Sequence, residues 1–416
     1  MHRTSCLLGL AAVAAPFSST LAQPFDFSAV TELANGALVG QNVNSPVPGF
    51  ELLLMKDGVV VYRRSFGAWS LGRVGNADSA TKTLAGALIM SLVDSSPLPF
   101  SLDTKLSEYF PEFGGNKSTI NIRQSFSHSS GLGDSVFVGS NTLSLQEVAR
   151  RIPLTPVEFS PPGTAFSYGG TSMHAAGAVA EIVGQQPWNT LFARRILQPI
   201  GMTQTSFVIS TPANPRIAGG CESNAPDFAL FMETLRRGGL APSGQRVLSQ
   251  NAVNQMFTRQ TADPITILNT PVQSPTTDGA DYGVGVWLDE RDADGELIGA
   301  LAAGARGFSS WIDFDDGMVG VFATDLSAAG NVQGLLYLFR AAAQDAARQP
   351  LCPPDLDHDG FVADTDFTAF ILAYNAGDCA SDAMTPGCQA DLNHDGFVDD
   401  SDFTVFLAAY NALTCP

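Results

Sequence analysis

Basic side chains are scarce in this chain. Among its 416 residues, Lys and Arg number 22 against 41 Asp and Glu, which gives a formal net charge of -19. Only four residues are lysines, at positions 56, 82, 105 and 117. A protein that binds nucleic acid needs a basic face to neutralise phosphates. We therefore expect no nucleic-acid partner.

Long apolar runs are also missing after residue 22. No later stretch approaches the roughly 20 apolar residues that a membrane-spanning helix needs, so we expect no span. The first 22 residues differ, because a basic start at Arg3 is followed by an apolar run from Cys6 to Phe17 and by small residues up to Ala22. That order is typical of a cleaved signal peptide, and it predicts a secreted protein.

Two catalytic motifs are absent. The sequence contains neither a Gly-x-Ser-x-Gly elbow nor a His-Glu-x-x-His pair, which excludes the usual α/β-hydrolase and zincin classes. Hydrophobic residues make up 45% and charged residues 15% of the chain, a composition typical of a folded globular protein. The length and the shift in composition near residue 352 predict a large domain over residues 23–351 and a small one over 352–416.

The C-terminal segment is acidic and repeated. Residues 352–416 contain 12 Asp but no Glu, Lys or Arg. Residues 352–379 align without gaps to residues 388–415, with 18 of 28 positions identical. A segment of this charge either repels its surroundings or binds cations.

Each copy places oxygen-bearing side chains at the spacing of a twelve-residue calcium loop. Such a loop takes side-chain ligands at positions 1, 3, 5 and 12, a backbone carbonyl at position 7 and a glycine at position 6 for the sharp turn. The sequence therefore predicts two structural calcium ions. The predicted ligands are Asp355, Asp357, Asp359, Phe361 and Asp366 in the first loop, with Gly360 at the turn, and Asp391, Asn393, Asp395, Phe397 and Asp402 in the second, with Gly396 at the turn.

A one-faced helix is predicted after each loop, because apolar residues recur at helical spacing. They are Phe367, Phe370, Ile371 and Tyr374 in the first copy and Phe403, Phe406, Leu407 and Tyr410 in the second. This loop-helix duplication resembles the type I dockerin module, which implies a small all-α calcium domain and a cohesin-like protein partner. Both copies depart from that pattern, since position 12 is Asp rather than Glu. Asp364-Thr365 and Asp400-Ser401 also stand where dockerins usually carry Ser-Thr recognition pairs.

Four cysteines lie in this segment. An even set in a small exported domain predicts disulfides. The spacing favours Cys352 with Cys379 and Cys388 with Cys415, each bracketing one loop and its helix, although the other two connectivities stay open. Cys221, alone in the large domain, is interpreted as a small buried side chain.

The large domain begins with a predicted helix over residues 27–41 and a hairpin whose strands, Phe50–Met55 and Val59–Ser65, flank Asp57-Gly58. A helix that is apolar on nearly every face follows Ser79 and Lys82. A lysine in the first turn of a buried helix, three residues after a serine, shares a face with it and can lose its proton through desolvation. This spacing predicts a Ser-Lys nucleophile pair, although Ser79 could also be only a helix cap.

Several segments in sequence order resemble the serine β-lactamase and penicillin-binding-protein-like family, particularly its class C and esterase branch. They include SATKTLAGALIMSLVD, INIRQSFSHSSGLGD, FSPPGTAFSYGGTSMHAAGAVAEIVG, YGVGVWLD and GFSSWIDFDDGMVGVFATD, and the likeness extends over about residues 25–345. The resemblance implies an α/β fold in which an antiparallel sheet is flanked by helices beside a helical region. A closing helix is predicted over Asn331 to Arg348.

The resemblance also assigns roles. Ser79 and Lys82 match the family's Ser-x-x-Lys motif as nucleophile and general base. Tyr168 matches the Tyr of the second motif as a proton relay, but its Asn is replaced by Gly170. The third motif falls on Ala302-Ala303-Gly304, with a register uncertain by a residue or two. It places Gly304 against the substrate and pairs the N–H of Ala305 with that of Ser79 as the oxyanion hole.

These departures bear on the substrate. The second-motif Asn and the third-motif Lys grip lactam substrates, and both are missing here. The sequence therefore favours hydrolysis of carboxylic esters, with a β-lactamase or D-alanyl peptidase as alternative and a catalytically silent binding protein of the same fold as a second. Arg306 is an alternative local cation, and His128 is interpreted as a structural residue.

Overall fold

The structure of the chain is a computed structural model that describes residues 25–326, 332–348, 353–357, 362–381, 383–384, 388–393 and 395–412. The predicted signal peptide over residues 1–22 lies outside the described residues, as do Cys352, Asp359, Phe361 and Cys415. The chain divides into two compact units, one spanning Asp26–Gln349 and the other including Pro350–Pro416. Within the described ranges, every helix is too short or too polar to reach across a lipid bilayer.

Helices make up most of the regular structure. Those in the described part of the chain are α1 (Ser28–Leu38), α2 (Thr81–Asp94), α3 (Ile122–Phe126), α4 (Leu145–Arg151), α5 (Thr171–Gly184), α6 (Trp188–Phe192), α7 (Gln198–Ile200), α8 (Ala225–Arg236), α9 (Gln250–Met256), α10 (Gln333–Arg348), α11 (Asp364–Ala376) and α12 (Asp400–Ala412). A 3-10 turn, Asp78–Ala80, runs directly into α2.

Six of the thirteen described strands belong to one sheet. The described strands are β1 (Gly49–Lys56), β2 (Val59–Gly67), β3 (Gly75–Asn76), β4 (Ala165–Ser167), β5 (Ser206–Phe207), β6 (Ser210–Thr211), β7 (Asn214–Pro215), β8 (Cys221–Ser223), β9 (Thr266–Asn269), β10 (Trp287–Arg291), β11 (Leu297–Ala303), β12 (Ser309–Asp313) and β13 (Met318–Ala323).

The central sheet has six strands in the order β10-β11-β12-β13-β1-β2, and every neighbouring pair is antiparallel. The predicted hairpin is confirmed as β1 and β2. Asp57 and Gly58 both have positive φ, 49° and 85°, as the tight turn that suits twisted strands requires. Strand β1 is buried on both faces, because Phe50 packs on Phe339 of α10 whereas Leu53 joins the core cluster that contains Phe228 of α8.

The helical region is built around α2. All its residues from Thr81 to Leu92 are buried, which confirms the predicted all-round apolar helix. Gly86 permits close approach, since a Cβ there would lie 2.2 Å from the carbonyl oxygen of Val284. The fold thus matches the predicted antiparallel sheet with flanking helices and a helical region. The closing helix, α10, starts at Gln333, and the first helix is shorter than the predicted 27–41.

The C-terminal unit contains α11 and α12, whose apolar faces pack together as their sequence spacing predicts. The rings of Phe370 and Phe406 are stacked with centroids 4.7 Å apart, and both side chains are buried. Tyr374 donates its hydroxyl hydrogen to Asp400 across this contact, and Tyr410 donates to Asp364 in the reciprocal position. Asp364 and Asp400 therefore each join one helix of this unit to the other.

The favoured disulfide pairing is wrong. Cys379 is bonded to Cys388, not to Cys352, so the bridge links the two repeats instead of closing one of them. After α11 the chain reverses at Gly377, whose φ is 72°, and Asp378 forms a bridge with Phe397 of the second loop. This reversal brings the Cα atoms of Cys379 and Cys388 to 5.4 Å, a separation that suits a disulfide.

Candidate active site

The predicted nucleophile and base lie in contact. Ser79 occupies the 3-10 turn before α2, and the Nζ of Lys82 lies 2.9 Å from its Oγ. The same Nζ donates to the carbonyl oxygen of Ala218 at 2.9 Å. These two partners fix the direction of the amine, so that it faces the serine hydroxyl.

The surroundings of Lys82 favour its neutral form. Burial removes water from the ammonium, the positive charge of Arg216 acts in the same direction, and the negative charge of Asp78 opposes both. The pKa of Lys82 is lowered to about 7. Near neutral pH about half of these side chains are unprotonated, as a general base requires.

Tyr168 lies beside this pair. The Nζ of Lys82 is 4.6 Å from the centroid of its ring, and its hydroxyl hydrogen-bonds with the side chain of Ser79. Burial raises the pKa of Tyr168 well above its usual range, and the hydrogen bond with Ser79 offsets this only partly. The phenol therefore stays protonated near neutral pH, so it can pass a proton along, whereas Lys82 is the group able to accept one.

Aromatic side chains hold Tyr168 in place. Its ring stacks on that of Trp287 at 5.3 Å with an interplanar angle of 19°, and Tyr282 packs edge-on at 6.5 Å. Sequence reasoning missed both supporting residues. The segment YGVGVWLD that carries them is part of the family resemblance, but nothing local in it indicates a contact with a tyrosine more than 100 residues earlier.

His128 supports the same tyrosine from the backbone side. Its Nδ1 accepts a hydrogen bond from the N–H of Gly169 at 3.2 Å, and its carbonyl oxygen accepts one from the N–H of Ser167 at 2.9 Å. Burial and the nearby charge of Lys82 hold the pKa of His128 well below its usual range. The predicted structural role is thus consistent with a neutral, packed imidazole.

The position of the second-motif Asn is crowded. Gly170 begins α5 as its N-cap, and a Cβ on this residue would lie 3.0 Å from the Cβ of Ala218. The carbonyl of Ala218 is the group that binds Lys82. A side chain at position 170 would therefore press on the residue whose carbonyl binds Lys82.

The end of β11 faces the nucleophile, as the third-motif assignment predicts. Gly304 and Ala305 line the same pocket as Ser79 and Tyr168. A Cβ on Gly304 would lie 2.4 Å from the carbonyl oxygen of Ala77, so this glycine lets the protein's own backbone approach. Strand β11 is not an edge strand, because β10 pairs with it between Leu297 and Leu301.

Arg306, the alternative cation, is occupied by acidic partners. Its Nε and one terminal nitrogen donate to the carboxylate of Asp78 at 2.9 and 2.7 Å, and its other terminal nitrogen lies 3.3 Å from Asp325. Asp78 has a φ of 45°, which is uncommon for a residue other than glycine. The guanidinium therefore braces the turn before Ser79 and is not directed at a substrate.

The pocket beside Ser79 has a volume of about 400 Å³. Its walls are apolar or uncharged, and none of the described residues that line it carries a formal charge. They are Ser79, Tyr168, Pro271, Val272, Gln273, Trp287, Ala303, Gly304, Ala305, Gly307, Ser309, Val332, Gln333 and Leu336.

The C-terminal loops offer hard oxygen donors. In the first loop, carboxylate oxygens of Asp355, Asp357 and Asp366 lie within 4.8 Å of one another, which fits the ligand chemistry of calcium. Asp366 is fully buried and accepts the backbone N–H groups of Leu356 and Asp357. Asp359 and Phe361, the remaining predicted ligands, lie outside the described residues.

The second loop repeats this arrangement of backbone contacts. Asp402 accepts the N–H groups of Leu392 and Asn393, and Asp391 accepts those of Asp395 and Gly396. The position-12 carboxylate is therefore tied to the start of its own loop in both copies. A shorter Asp serves this purpose because it is already in the first turn of the following helix.

A serine in contact with a buried lysine and a tyrosine, in a pocket at the end of a strand of an antiparallel sheet, is an arrangement that suits a serine hydrolase. The sequence model of the Beta-lactamase family matches residues 37–343. The chain belongs to this family.

Individual relatives are more distant. The chain is 26% identical over 292 residues to the D-aminopeptidase of Cereibacter sphaeroides, covering 63% of this chain and 53% of that protein. It is 26% identical over 192 residues to esterase EstB of Burkholderia gladioli, covering 39% of this chain and 48% of that protein. The chain thus spans about half the length of these two curated relatives. The crystal structure of a family VIII carboxylesterase shares the fold, with a TM-score of 0.61 at 18% identity, covering 76% of this chain and 97% of that one.

Proposed function

We propose that this chain is a secreted serine hydrolase that cleaves neutral carboxylic esters through an acyl-enzyme formed on Ser79. The observation that carries the ester preference is the uncharged lining of the pocket beside the Ser-Lys-Tyr group. Recognition of lactams or D-alanyl peptides would require a cation for their carboxylate, and the nearest candidate, Arg306, is bound to Asp78. The likeness to esterase EstB supports the same substrate class.

The proposed reaction uses the groups already in contact. Lys82 accepts the proton of the Ser79 hydroxyl as Oγ attacks the ester carbonyl carbon. The resulting oxyanion accepts hydrogen bonds from the N–H groups of Ser79 and Ala305. The proton then passes through the hydroxyl of Tyr168 to the alkoxide leaving group, which departs as the alcohol. Water then attacks the acyl carbon as Lys82 accepts one of its protons; the bond between the acyl carbon and Oγ breaks, the proton returns from Lys82 to Oγ, and the carboxylic acid leaves.

The test compares two substrates on the same preparation. Purified protein should hydrolyse p-nitrophenyl butyrate with a kcat/KM at least about 10²-fold above that for a chromogenic cephalosporin. Ser79→Ala should abolish ester turnover, because the nucleophile is removed. Ser310→Ala is the matched control, since Ser310 is buried on β12 and does not line the pocket.

Two outcomes would contradict this proposal. Faster turnover of the cephalosporin would favour the β-lactamase alternative. No turnover of either substrate, together with no labelling of Ser79 by a fluorophosphonate probe, would favour the silent binding protein.

For the C-terminal unit we propose that two calcium ions stabilise the loops and that the module attaches the enzyme to a cohesin-like partner. The clustered carboxylates of the first loop support calcium, because bringing three negative charges together is costly without a cation. Secretion is supported by the layout of residues 1–22 and by the cysteine-rich tail. The partner is supported by the dockerin resemblance alone.

Chelation tests the calcium sites in the full-length protein. Removing calcium should lower the melting temperature of the small unit by on the order of 10 °C, because an ion that binds only the folded state stabilises it. Differential scanning calorimetry with and without EDTA would measure this shift, and ester turnover reports whether the large unit is intact. An unchanged calorimetric trace would rule out the predicted ligands.

A further inference from the structure

We propose that Asp78 and Arg306 are positioning residues that clasp together the two backbone segments carrying the oxyanion-hole N–H groups. This inference rests on the proposed function of Ser79 and Ala305. Asp78 directly precedes Ser79, and Arg306 directly follows Ala305. The two donors come from segments more than 220 residues apart, so their spacing depends on contacts between the segments.

Three hydrogen bonds join the two segments. The carboxylate of Asp78 accepts three hydrogen bonds from Arg306, two from the guanidinium and one from the backbone N–H at 3.1 Å. A bidentate guanidinium-carboxylate pair fixes orientation as well as distance. The bond to the backbone N–H of Arg306 fixes the peptide plane next to Ala305.

The neighbouring backbone points to the same role. In the turn after β11, Gly304 donates its N–H to Phe308 and Gly307 donates to Gly304. The N–H of Ala305 is the remaining donor of this turn, and Ala305 lines the pocket with Ser79. Gly304, which has no side chain, lies against the carbonyl of Ala77. The two segments therefore also touch through the residues before Asp78 and before Ala305.

Asp78 also adopts a conformation that needs support. A left-handed φ of 45° costs energy for a residue with a Cβ, and it persists only where surrounding contacts over-determine it. The side chains of Asp78 and Arg306 are largely shielded, with exposures of 16% and 34%. The three hydrogen bonds from Arg306 supply this support at the residue that sets the direction of the Ser79 N–H.

The clasp is also coupled electrostatically to the general base. The charged and titratable groups that face Lys82 are Asp78 from the preceding turn, Arg216 from beyond β7, and Tyr168 and His128 from the segments packed on α2. The negative charge of Asp78 raises the pKa of Lys82 against the effect of burial. Arg306 neutralises that charge. Loss of Arg306 should therefore raise the pKa of Lys82, whereas loss of the Asp78 charge should lower it.

Steady-state kinetics with p-nitrophenyl butyrate would test the positioning role in the full-length protein. Arg306→Met should lower kcat by roughly 10- to 100-fold with KM within about two-fold, since misplacing a donor costs somewhat less than the 10²–10³ of losing one. Arg306→Lys and Asp78→Asn should give smaller losses, because Lys keeps the charge and Asn tolerates a positive φ. Binding of a trifluoromethyl ketone, which forms an oxyanion on Ser79, should weaken in parallel with kcat.

The pH profile separates this role from a merely structural one. The acid limb of kcat/KM should move to higher pH in Arg306→Met, where the charge of Asp78 is left unpaired, and to lower pH in Asp78→Asn. A kcat within two-fold of wild type in both variants, or a loss of kcat without opposite shifts of the acid limb, would overturn the proposal. The matched control is Arg123→Met. Arg123 also donates two hydrogen bonds to an aspartate, Asp103; its side chain is as exposed as that of Arg306, and it does not line the pocket.

Failure of the underlying function gives a different result. If Ser79→Ala retains full ester turnover, the proposed nucleophile is wrong whatever the clasp variants do. If Ser79→Ala is inactive and the Asp78 and Arg306 variants behave as wild type, only the clasp is wrong. Melting temperatures of all variants would show whether any loss of kcat reflects unfolding.

Discussion

The two walls of the pocket differ in the chemical groups that they present. The helical wall, which consists of Ser79, Tyr168 and the buried Lys82 that contacts them, holds the proposed nucleophile, proton relay and base together. The sheet wall, which consists of Ala303, Gly304 and Ala305 at the end of β11, offers backbone groups and methyl side chains. The groups proposed to break the ester bond therefore lie together on one wall, whereas the other wall has no charged side chain to bind a charged substrate.

The difference follows from what each task requires. Proton transfer needs a desolvated amine beside a hydroxyl, and only a few arrangements of residues provide this. Discrimination among substrates can instead come from the shape and polarity of a cavity. A neutral wall does not weaken attack on an ester carbonyl, but it leaves a substrate carboxylate without a partner, which is costly once water is excluded.

The largest expected effect comes from removing the base on the helical wall. Lys82→Gln should lower kcat/KM for p-nitrophenyl butyrate by about 10³-fold, because it removes the amine that lies 2.9 Å from the Oγ of Ser79. In the wild type, kcat/KM should rise with pH through about 7, since the unprotonated amine is the active form and the pKa of Lys82 is lowered to about 7. Stopped-flow assays from pH 5 to 9 would measure both.

Lys117→Gln is the control for the loss of one lysine, because the ammonium of Lys117 donates to the carbonyls of Pro153 and Thr155 and does not line the pocket. A wild-type profile without an acid limb between pH 6 and 8 would contradict the assignment of Lys82 as base.

A smaller effect is expected at Tyr168. Tyr168→Phe should lower kcat for an alkyl ester such as ethyl butyrate by roughly 10²-fold, because the ring still stacks on Trp287 but the hydroxyl that relays a proton to the alkoxide is lost. The acid limb should stay near pH 7, since Lys82 remains the base. Tyr282→Phe is the matched control, as its ring packs on Tyr168 but it does not line the pocket. Equal kcat for Tyr168→Phe and wild type would show that the phenol only packs.

Ser79 and Lys82 could be predicted from the sequence because their information is local, whereas Tyr168 was assigned only through the family resemblance. Ser79 and Lys82 are one helical turn apart, and the apolar run after them predicts the burial that lowers the lysine pKa. The hairpin strands β1 and β2 were predictable for the same reason, since Asp57-Gly58 specifies the turn between them.

The contacts that hold the site together could not be predicted this way. Asp78 and Arg306 are 228 residues apart, and nothing in either segment indicates the other. The disulfide prediction failed for a related reason. We paired the two cysteines that flank each repeat, on the assumption that each repeat closes on itself. The chain reversal at Gly377 instead places Cys379 beside Cys388 of the next repeat.

The smallest expected effect comes from restoring a cation to the neutral side of the pocket. Gln333, at the start of α10, is one of the uncharged residues that line the pocket. Gln333→Arg should raise kcat/KM for p-nitrophenyl hemisuccinate by about five-fold relative to p-nitrophenyl butyrate, because the added guanidinium can pair with the free carboxylate of the acyl chain. The gain should shrink at high salt, since this end of the pocket is partly open to solvent.

Leu338→Arg places the same charge on the same helix at an exposed position outside the pocket lining, so it controls for a change in net charge alone. An equal gain in both variants would mean that long-range attraction, and not a contact inside the pocket, favours the anionic ester. No gain in Gln333→Arg would mean that the acyl chain does not reach α10. In that case the uncharged lining beside Gln333 could not be what sets the preference for neutral esters, and the comparison of the two walls would narrow to the residues at the end of β11.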